Sequence, residues 1–417
     1  VPAKRGRRIV REDAGVDLAT LRALRTPEGR ALSAQVEPYD DQRALALGAR
    51  LRREHPAALV AAAMTQARLR TRAGGKFGAD ATRMFFTATG LEQATRASVA
   101  QHRARRFAAV GSAVADFGSG SGTGSGAGSG AIRVADLGCG IGSDAIALAR
   151  AGARVLAVER DPLTAEVARA NAEALGLAER IEVRCADVTT LPADALAGCQ
   201  AAFCDPARRT ARGRVFAPES WSPPWSFLLA LAGRVPAAAA KVAPGIPHDL
   251  APPGAEVEWV SVGGDVVEAV VWWGPLASGV RRRATLLPRA APATSATLLT
   301  PANPLTPATS GTPATPLTLT DAGLPRAAVR PPGRWLYEPD GAVIRAGLVG
   351  HVALAVDGGL LHPTIAYVTS DALVSTTYAT AYEVLDVLPF SVKRLRAVLR
   401  ERAVGRVVVK KRGSPMD

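Results

Sequence analysis

Asp136, Gly138, Gly140 and Gly142 fall in one short stretch, Val134–Gly142, where an apolar run meets an acid and then glycine at alternate positions. Glycine is needed where backbone must turn sharply or lie against a ligand with no Cβ in the way. Two patterns compete. In the dinucleotide fingerprint Gly-x-Gly-x-x-Gly the third glycine comes one residue later than it does here. The pattern present is Asp-x-Gly-x-Gly-x-Gly. Glu159 closes a second apolar run, Arg154–Val158, and a carboxylate so placed can accept from both hydroxyls of a ribose. Alone, it would be an ordinary surface acid. Asp187 follows a third run, Ile181–Arg184, as a turn cap or a ligand contact. Asp205-Pro206-Ala207-Arg208-Arg209 follows a fourth, Ala201–Cys204. There a side-chain oxygen and a backbone carbonyl can accept both hydrogens of an amine and aim its lone pair. Arg208 can stack by its guanidinium plane or hold a phosphate. Phe216, Trp221 or Trp225 supplies a stacking ring, or is simply core.

These residues need a scaffold that gathers strand ends. Strand and helix alternate over 131–288, which predicts an α/β fold with a parallel sheet and helices on both faces. Ligands then bind at the C-terminal ends of the strands, so Asp136, Glu159, Asp187 and Asp205 are expected to share one edge. Trp259–Trp273 reads as a hairpin around Gly263-Gly264. Residues 1–116 form an N-terminal helical region, with helices expected at Val16–Leu24, Asp41–Arg53, Ala57–Arg72 and Ala97–Ala108. His102, Arg103, Arg105 and Arg106 make the last of these basic, as a solvated face or a phosphate-binding one. Residues 117–130 are a Gly/Ser linker and 289–322 a Pro/Thr/Ala linker. A second, small α/β region spans 323–417, with a helix at Ser391–Glu401 and a strand expected to run into the basic end Arg406–Gly413.

A chain of 417 residues with 48% hydrophobic content allows two or three domains and a substantial core. No apolar run is long enough for a transmembrane helix, and basic Val1–Glu12 lacks the apolar core of a secretory signal. Val1 in place of methionine suggests a processed or alternatively started chain. Cys139, Cys185, Cys199 and Cys204 form no Cys-x-x-Cys pair and no zinc spacing, so free thiols in the cytoplasm and no metal are expected. The net charge of +14 favours a polyanionic partner, with nucleic acid the leading expectation. The excess over acids stands even though an arginine-rich composition also follows from a GC-rich genome.

With these residues in view, the chain resembles the bacterial class I S-adenosylmethionine (SAM) dependent methyltransferases that carry a C-terminal THUMP-like domain. The resemblance rests on Lys76-Phe77-Gly78, Gly90-Leu91-Glu92-Gln93-Ala94-Thr95, Asp136–Gly142, Asp205-Pro206-Ala207-Arg208-Arg209 and Ala243-Pro244-Gly245-Ile246-Pro247. It implies a Rossmann-like sheet, with SAM bound by Asp136, Gly138, Gly140, Gly142, Glu159 and Asp187. In such enzymes the glycine loop passes under the methionine part, and an acid like Asp187 meets the adenine amino group. Asp205 and Pro206 would hold the target, with Arg208 beside it. Related amino-methyltransferases place Pro-aromatic where this chain has Ala207-Arg208. A THUMP-type domain implies structured RNA, tRNA or rRNA, and here it is expected to be cut short. Uracil C5 chemistry needs a cysteine beyond this motif, and none follows Cys204, so a base nitrogen is the expected acceptor. The alternatives are a small-molecule methyltransferase and a non-catalytic RNA-binding protein with a degenerate SAM site.

Overall fold

The computed structural model describes residues 16–115, 131–210, 213–214, 217–289 and 315–410. The Gly/Ser linker, most of the Pro/Thr/Ala linker, Val1–Glu12, Phe216 and Lys411–Gly413 lie outside the described residues. The chain divides into two units, Val1–Val242 with Val271–Ser278, and Ala243–Val270 with Gly279–Asp417.

The first unit begins with α1 (Leu18–Leu24), α2 (Pro27–Val36), α3 (Ala44–Leu51), α4 (Ala57–Phe77), α5 (Ala88–Gln93) and α6 (Ala97–Ala115). Asp17, Thr26 and Thr87 cap α1, α2 and α5 by accepting from first-turn amides that would otherwise lack a partner. Periodicity predicts that α4 stops near Arg72, but the helix continues through Gly74 and Gly75 to Phe77. Two glycines cost a helix interior about 1 kcal/mol each. The compensation is tertiary, since the Lys76 ammonium donates to the carbonyls of Leu91, Glu92 and Ala94 at 2.6, 2.7 and 3.1 Å.

Alternating elements follow: β1 (Arg133–Leu137), α7 (Ser143–Arg150), β2 (Arg154–Glu159), α8 (Pro162–Ala174), β3 (Ile181–Cys185) and β4 (Ala201–Cys204). After the short pair β5 (Arg209–Thr210) and β6 (Gly213–Arg214) come α9 (Trp225–Ala232) and β7 (Ala237–Val242). The strands pair in the order β7-β4-β1-β2-β3, all parallel. Strands covered on both faces read as continuous apolar runs, and β1, β4 and β7 are buried along almost their whole length. Because all five run one way, their C-terminal ends share an edge. Asp136, Glu159, Asp187 and Asp205 stand at or just past those ends, as expected.

In the second unit β8 (Glu256–Val262) leads into β9 (Asp265–Trp273), whose last residues belong to the first unit. The two-residue turn between them has Gly263 at φ 57° and Gly264 at φ 89°, the positive angles a tight hairpin requires. β10 (Arg282–Leu287) runs parallel to β8. β11 (Leu317–Thr320), inside the stretch read as a linker, pairs antiparallel with β10. β12 (Trp335–Pro339), α10 (Gly341–Arg345), α11 (Val349–Ala355), β13 (Gly359–His362), β14 (Ile365–Ser370) and β15 (Ala379–Glu383) follow. Their antiparallel sheet, in the order β13-β14-β12-β15, closes on a core of Tyr337, Ala353, Val356, Leu360 and Val368. α12 (Val392–Glu401) is capped by Ser391 and buries none of its residues. The strand expected over Arg406–Val409 does not form, and Val408 and Val409 are exposed. A strand needs a partner's ladder, and no described strand pairs with this segment. No described helix is long and apolar enough to cross a membrane.

Candidate active site

The turn after β1 is built over the end of β2. Gly138 and Cys139 both donate their backbone N–H to the carbonyl of Val158, at 2.9 and 3.0 Å. Gly138, Gly140 and Gly142 have φ of 80°, 54° and 90°, angles that disfavour any side chain. They differ in what lies beside them. A Cβ on Gly138 would come within 2.9 Å of the Asp205 carbonyl oxygen, whereas one on Gly140 would meet nothing within 4 Å. Gly142 caps α7, and a Cβ there would meet Ala168 at 3.6 Å.

The carboxylates sit around this turn in different states. Glu159 accepts from Gly140 N and from Asp161 N, each at 3.0 Å, so it faces the glycine loop. Asp136 is buried, and neither of its oxygens has a hydrogen-bond partner within 3.5 Å. Burial, then the charges of Asp144 and Asp205, drive its carboxyl well above the usual carboxylate range, against the opposing pull of Arg103 and the Ala145 backbone N–H. Asp187 caps the turn after β3, where Thr189 N and Thr189 Oγ1 both bond its Oδ1, at 2.9 and 2.7 Å. The Thr189 hydroxyl and amide hold its carboxyl below the usual range. Asp205 reaches the glycine loop through its backbone, donating N–H to the Leu137 carbonyl at 3.1 Å. Its side chain accepts from Lys241 Nζ at 2.7 Å. Pro206 is buried and Arg208 half-buried. Between them Ala207 bridges Ser222 through backbone bonds of 2.8 and 3.1 Å.

Residues 134–208 match the family model described as Methyltransferase domain. Residues 379–417 match THUMP domain-like, and 17–73 match Domain of unknown function (DUF8688). Two Mycobacterium tuberculosis proteins, of strains CDC 1551 / Oshkosh and ATCC 25618 / H37Rv, are described as uncharacterized S-adenosylmethionine-dependent methyltransferases. Each is 33% identical over 361 residues, which cover 84% of this chain and 84% of the relative. The chain belongs to the S-adenosylmethionine-dependent methyltransferases. A solved protein of Porphyromonas gingivalis W83, assigned as a methyltransferase, is 22% identical, covers 87% of both chains and has a TM-score of 0.60, and so shares the fold.

SAM is therefore the cofactor of this methyltransferase, and the residues present fit it. The side of Gly140 is open where a Cβ would stand. Asp136 keeps two buried oxygens without partners, a costly arrangement that a ligand or water could relieve. Glu159 is bound only to amides, which a ribose could replace.

Several residues that shape this edge escape the sequence reading. Asn171 on α8 ties the N-terminal region to the glycine loop, accepting from Phe85 N at 2.6 Å and donating to Phe85 O and Ile141 O at 3.1 and 2.9 Å. Arg103 departs from both readings of the basic helix, whereas Arg105 on the same helix is exposed. Arg103 is buried, its Nε bonds Asp144 Oδ1 at 2.9 Å, and its guanidinium lies 4.3 Å over the Phe203 ring. Arg106 likewise stacks 4.3 Å over Trp272 and donates to Leu276 O. These cations anchor α6 rather than face phosphate or solvent. Trp221 and Trp225 are buried edge to face, with centroids 6.3 Å apart, and Trp225 packs on Trp273. They are core, not stacking platforms. Burial pushes the Cys139 and Cys204 thiols up, away from thiolate chemistry. Among the described residues no group of His, Cys, Asp and Glu could hold a metal ion.

Lys76 offers a pH test of the wall beside this site. Burial, aided by Arg96 and Lys241, lowers its pKa from 10.5 to about 8. Between those values the unfolded chain holds a proton that the folded one has lost, so this residue's contribution to stability rises with pH. The unfolding free energy of wild type minus that of Lys76→Met should grow between about pH 8 and about pH 10 in urea titrations. A flat difference would contradict the assignment.

Proposed function

We propose that this methyltransferase transfers a methyl group to a base nitrogen of structured RNA, tRNA or rRNA. The observation that carries the proposal is the Asp205-Pro206 turn, which ends β4 against Gly138 with its carboxylate one-quarter exposed. The whole-chain charge of +14, the THUMP-like match and the exposed Lys393, Arg394, Arg396 and Arg400 of α12 support a polyanionic partner. Bound SAM supplies an activated methyl on a sulfonium. The chain's own task is to hold, orient and desolvate the reactants.

In this reading Gly138, Gly140 and Gly142 leave room for the cofactor. Glu159 exchanges its amide partners for the ribose hydroxyls, and Asp187 turns Oδ2 to the adenine amino group. Asp136 lies beneath the methionine end. Asp205 and the Pro206 carbonyl accept from the target nitrogen, with Arg208 against the base or a phosphate. Asp136→Asn should then weaken SAM binding about tenfold, since the loop loses an acid held for the ligand. It should leave stability unchanged or raised, because a buried carboxylate without a partner is unfavourable. The sign follows from linkage. A folded pKa above the ordinary 3.8 means that stability falls as pH rises past that value, and asparagine removes this loss. Calorimetric SAM titration and melting of both proteins check it. A large fall in melting temperature would make Asp136 structural.

The proposal is tested by incubating the protein with labelled SAM and total RNA, followed by mass spectrometry of the nucleosides. Label in a methylated nucleoside is expected, and label only in small molecules would overturn it. The burial of Trp221 and Trp225 favours a second reading, a small-molecule acceptor, because neither ring can stack on a base. RNA binding that falls steeply with salt separates the two, since only phosphate contacts produce that slope.

A further inference from the structure

β7 reads Ala-Ala-Ala-Ala-Lys-Val and is buried throughout. An ammonium in such a strand is costly unless partners replace its water. The β4–β7 register pairs Cys204 with Ala240, which sets Lys241 level with Asp205 one residue further on. Lys241 Nζ lies 2.7 Å from Asp205 Oδ2 and 3.3 Å from Thr95 Oγ1. Its side chain is 11% exposed against 25% for Asp205, so the cation sits on the inner side of the carboxylate. Thr95 arrives from the segment between α5 and α6. α5, which leads into that segment, lies close to the glycine loop, since a Cβ on its Gly90 would come within 2.5 Å of Ile141 Cγ2.

We propose that Lys241 is a positioning residue of this methyltransferase. By holding Oδ2 of Asp205 from within and bonding Thr95 behind, it sets the carboxylate at one angle and leaves Oδ1 for the target. The inference rests on the reading that Asp205 meets the target. A carboxylate free to rotate would present its oxygens in many orientations, and misplacement of this order costs up to about 100-fold in rate. Lys241 touches neither reactant in this scheme. Its effect passes through Asp205 and depends on charge and reach rather than on volume.

The test compares Lys241→Met, Lys241→Arg and the double variant Lys241→Met/Asp205→Asn in methyl transfer from SAM to total RNA. Lys241→Met should lower kcat about 30-fold while the SAM dissociation constant stays within about twofold. Arginine, which keeps charge and reach, should restore kcat to within about fivefold of wild type. The double variant should be no slower than Asp205→Asn alone, because a positioning residue has nothing left to position. Wild-type kcat in Lys241→Met, loss without rescue by arginine, or fully multiplicative losses would overturn the proposal. If wild type methylates no RNA, the RNA reading fails, and nitrogen NMR of the lysine ammonium groups decides the clamp by itself. A slowly exchanging Lys241 signal that shifts and exchanges faster in Asp205→Ala supports it, and one that ignores Asp205→Ala overturns it.

Discussion

Asp205→Ala is expected to lower methyl transfer into RNA by about 1000-fold or more, while SAM affinity changes by less than about threefold. The separation follows from how the residue is built in. Its backbone serves the glycine loop, with N–H donated to Leu137 and the carbonyl oxygen beside Gly138, and alanine keeps both. Only the carboxylate is lost, and with it the acceptor proposed to align the target nitrogen. Lys241 then keeps Thr95 Oγ1 at 3.3 Å but loses its ion pair, for about 2 kcal/mol of stability, which a folded domain tolerates. Initial rates with labelled SAM and RNA, beside calorimetric SAM titration, check it. Equal losses of affinity and turnover would move Asp205 from the target side of the site to the cofactor side.

Gly140→Ala should weaken SAM binding about 100-fold or more and leave the fold in place. At φ 54° an alanine is strained by about 1–2 kcal/mol, yet its Cβ would touch no protein atom within 4 Å. The methyl group therefore enters only the space that the fold keeps open beside Glu159. Gly176→Ala is the control. Gly176 has φ 72° and equally empty surroundings, but it follows α8 rather than the loop. It should show a similar drop in melting temperature with unchanged SAM affinity. Equal affinity in the two variants would remove the ligand from the glycine loop. Gly138 is a poorer probe, because its added carbon would strike the Asp205 backbone and disturb both halves of the site at once.

Several of the features that point to a methyltransferase are local in the chain. An apolar strand ending in acid and glycine, a second strand ending in Glu159 and a Gly-Gly hairpin depend on backbone preferences over a few residues. Parallel strands with strand–helix alternation bring their ends to one edge whatever the packing details. Asp187 shows the limit of such reading. Its position after β3 was legible, but its engagement as a cap by Thr189 needed the geometry of the turn.

What the amino-acid order could not reveal is which long side chains go inside. Arg103 and Arg105 look alike in a helical pattern, yet Arg103 is buried on Asp144 and Phe203 while Arg105 is exposed. Periodicity records a face and not what covers it. Trp221 and Trp225 lie near the Asp-Pro motif in sequence, and only packing sends them into the core. Lys241 carries one weak local signal, a charge in an alanine strand, but Asp205 and Thr95, which it bonds, lie 36 and 146 residues away. The sequence alone therefore determined the sheet, the bare loop and the row of acids, because each is written in neighbouring residues. Tertiary structure decided the buried cations and the walls they tie together, because an ion pair in a low-dielectric interior forms only where distant segments fold to meet.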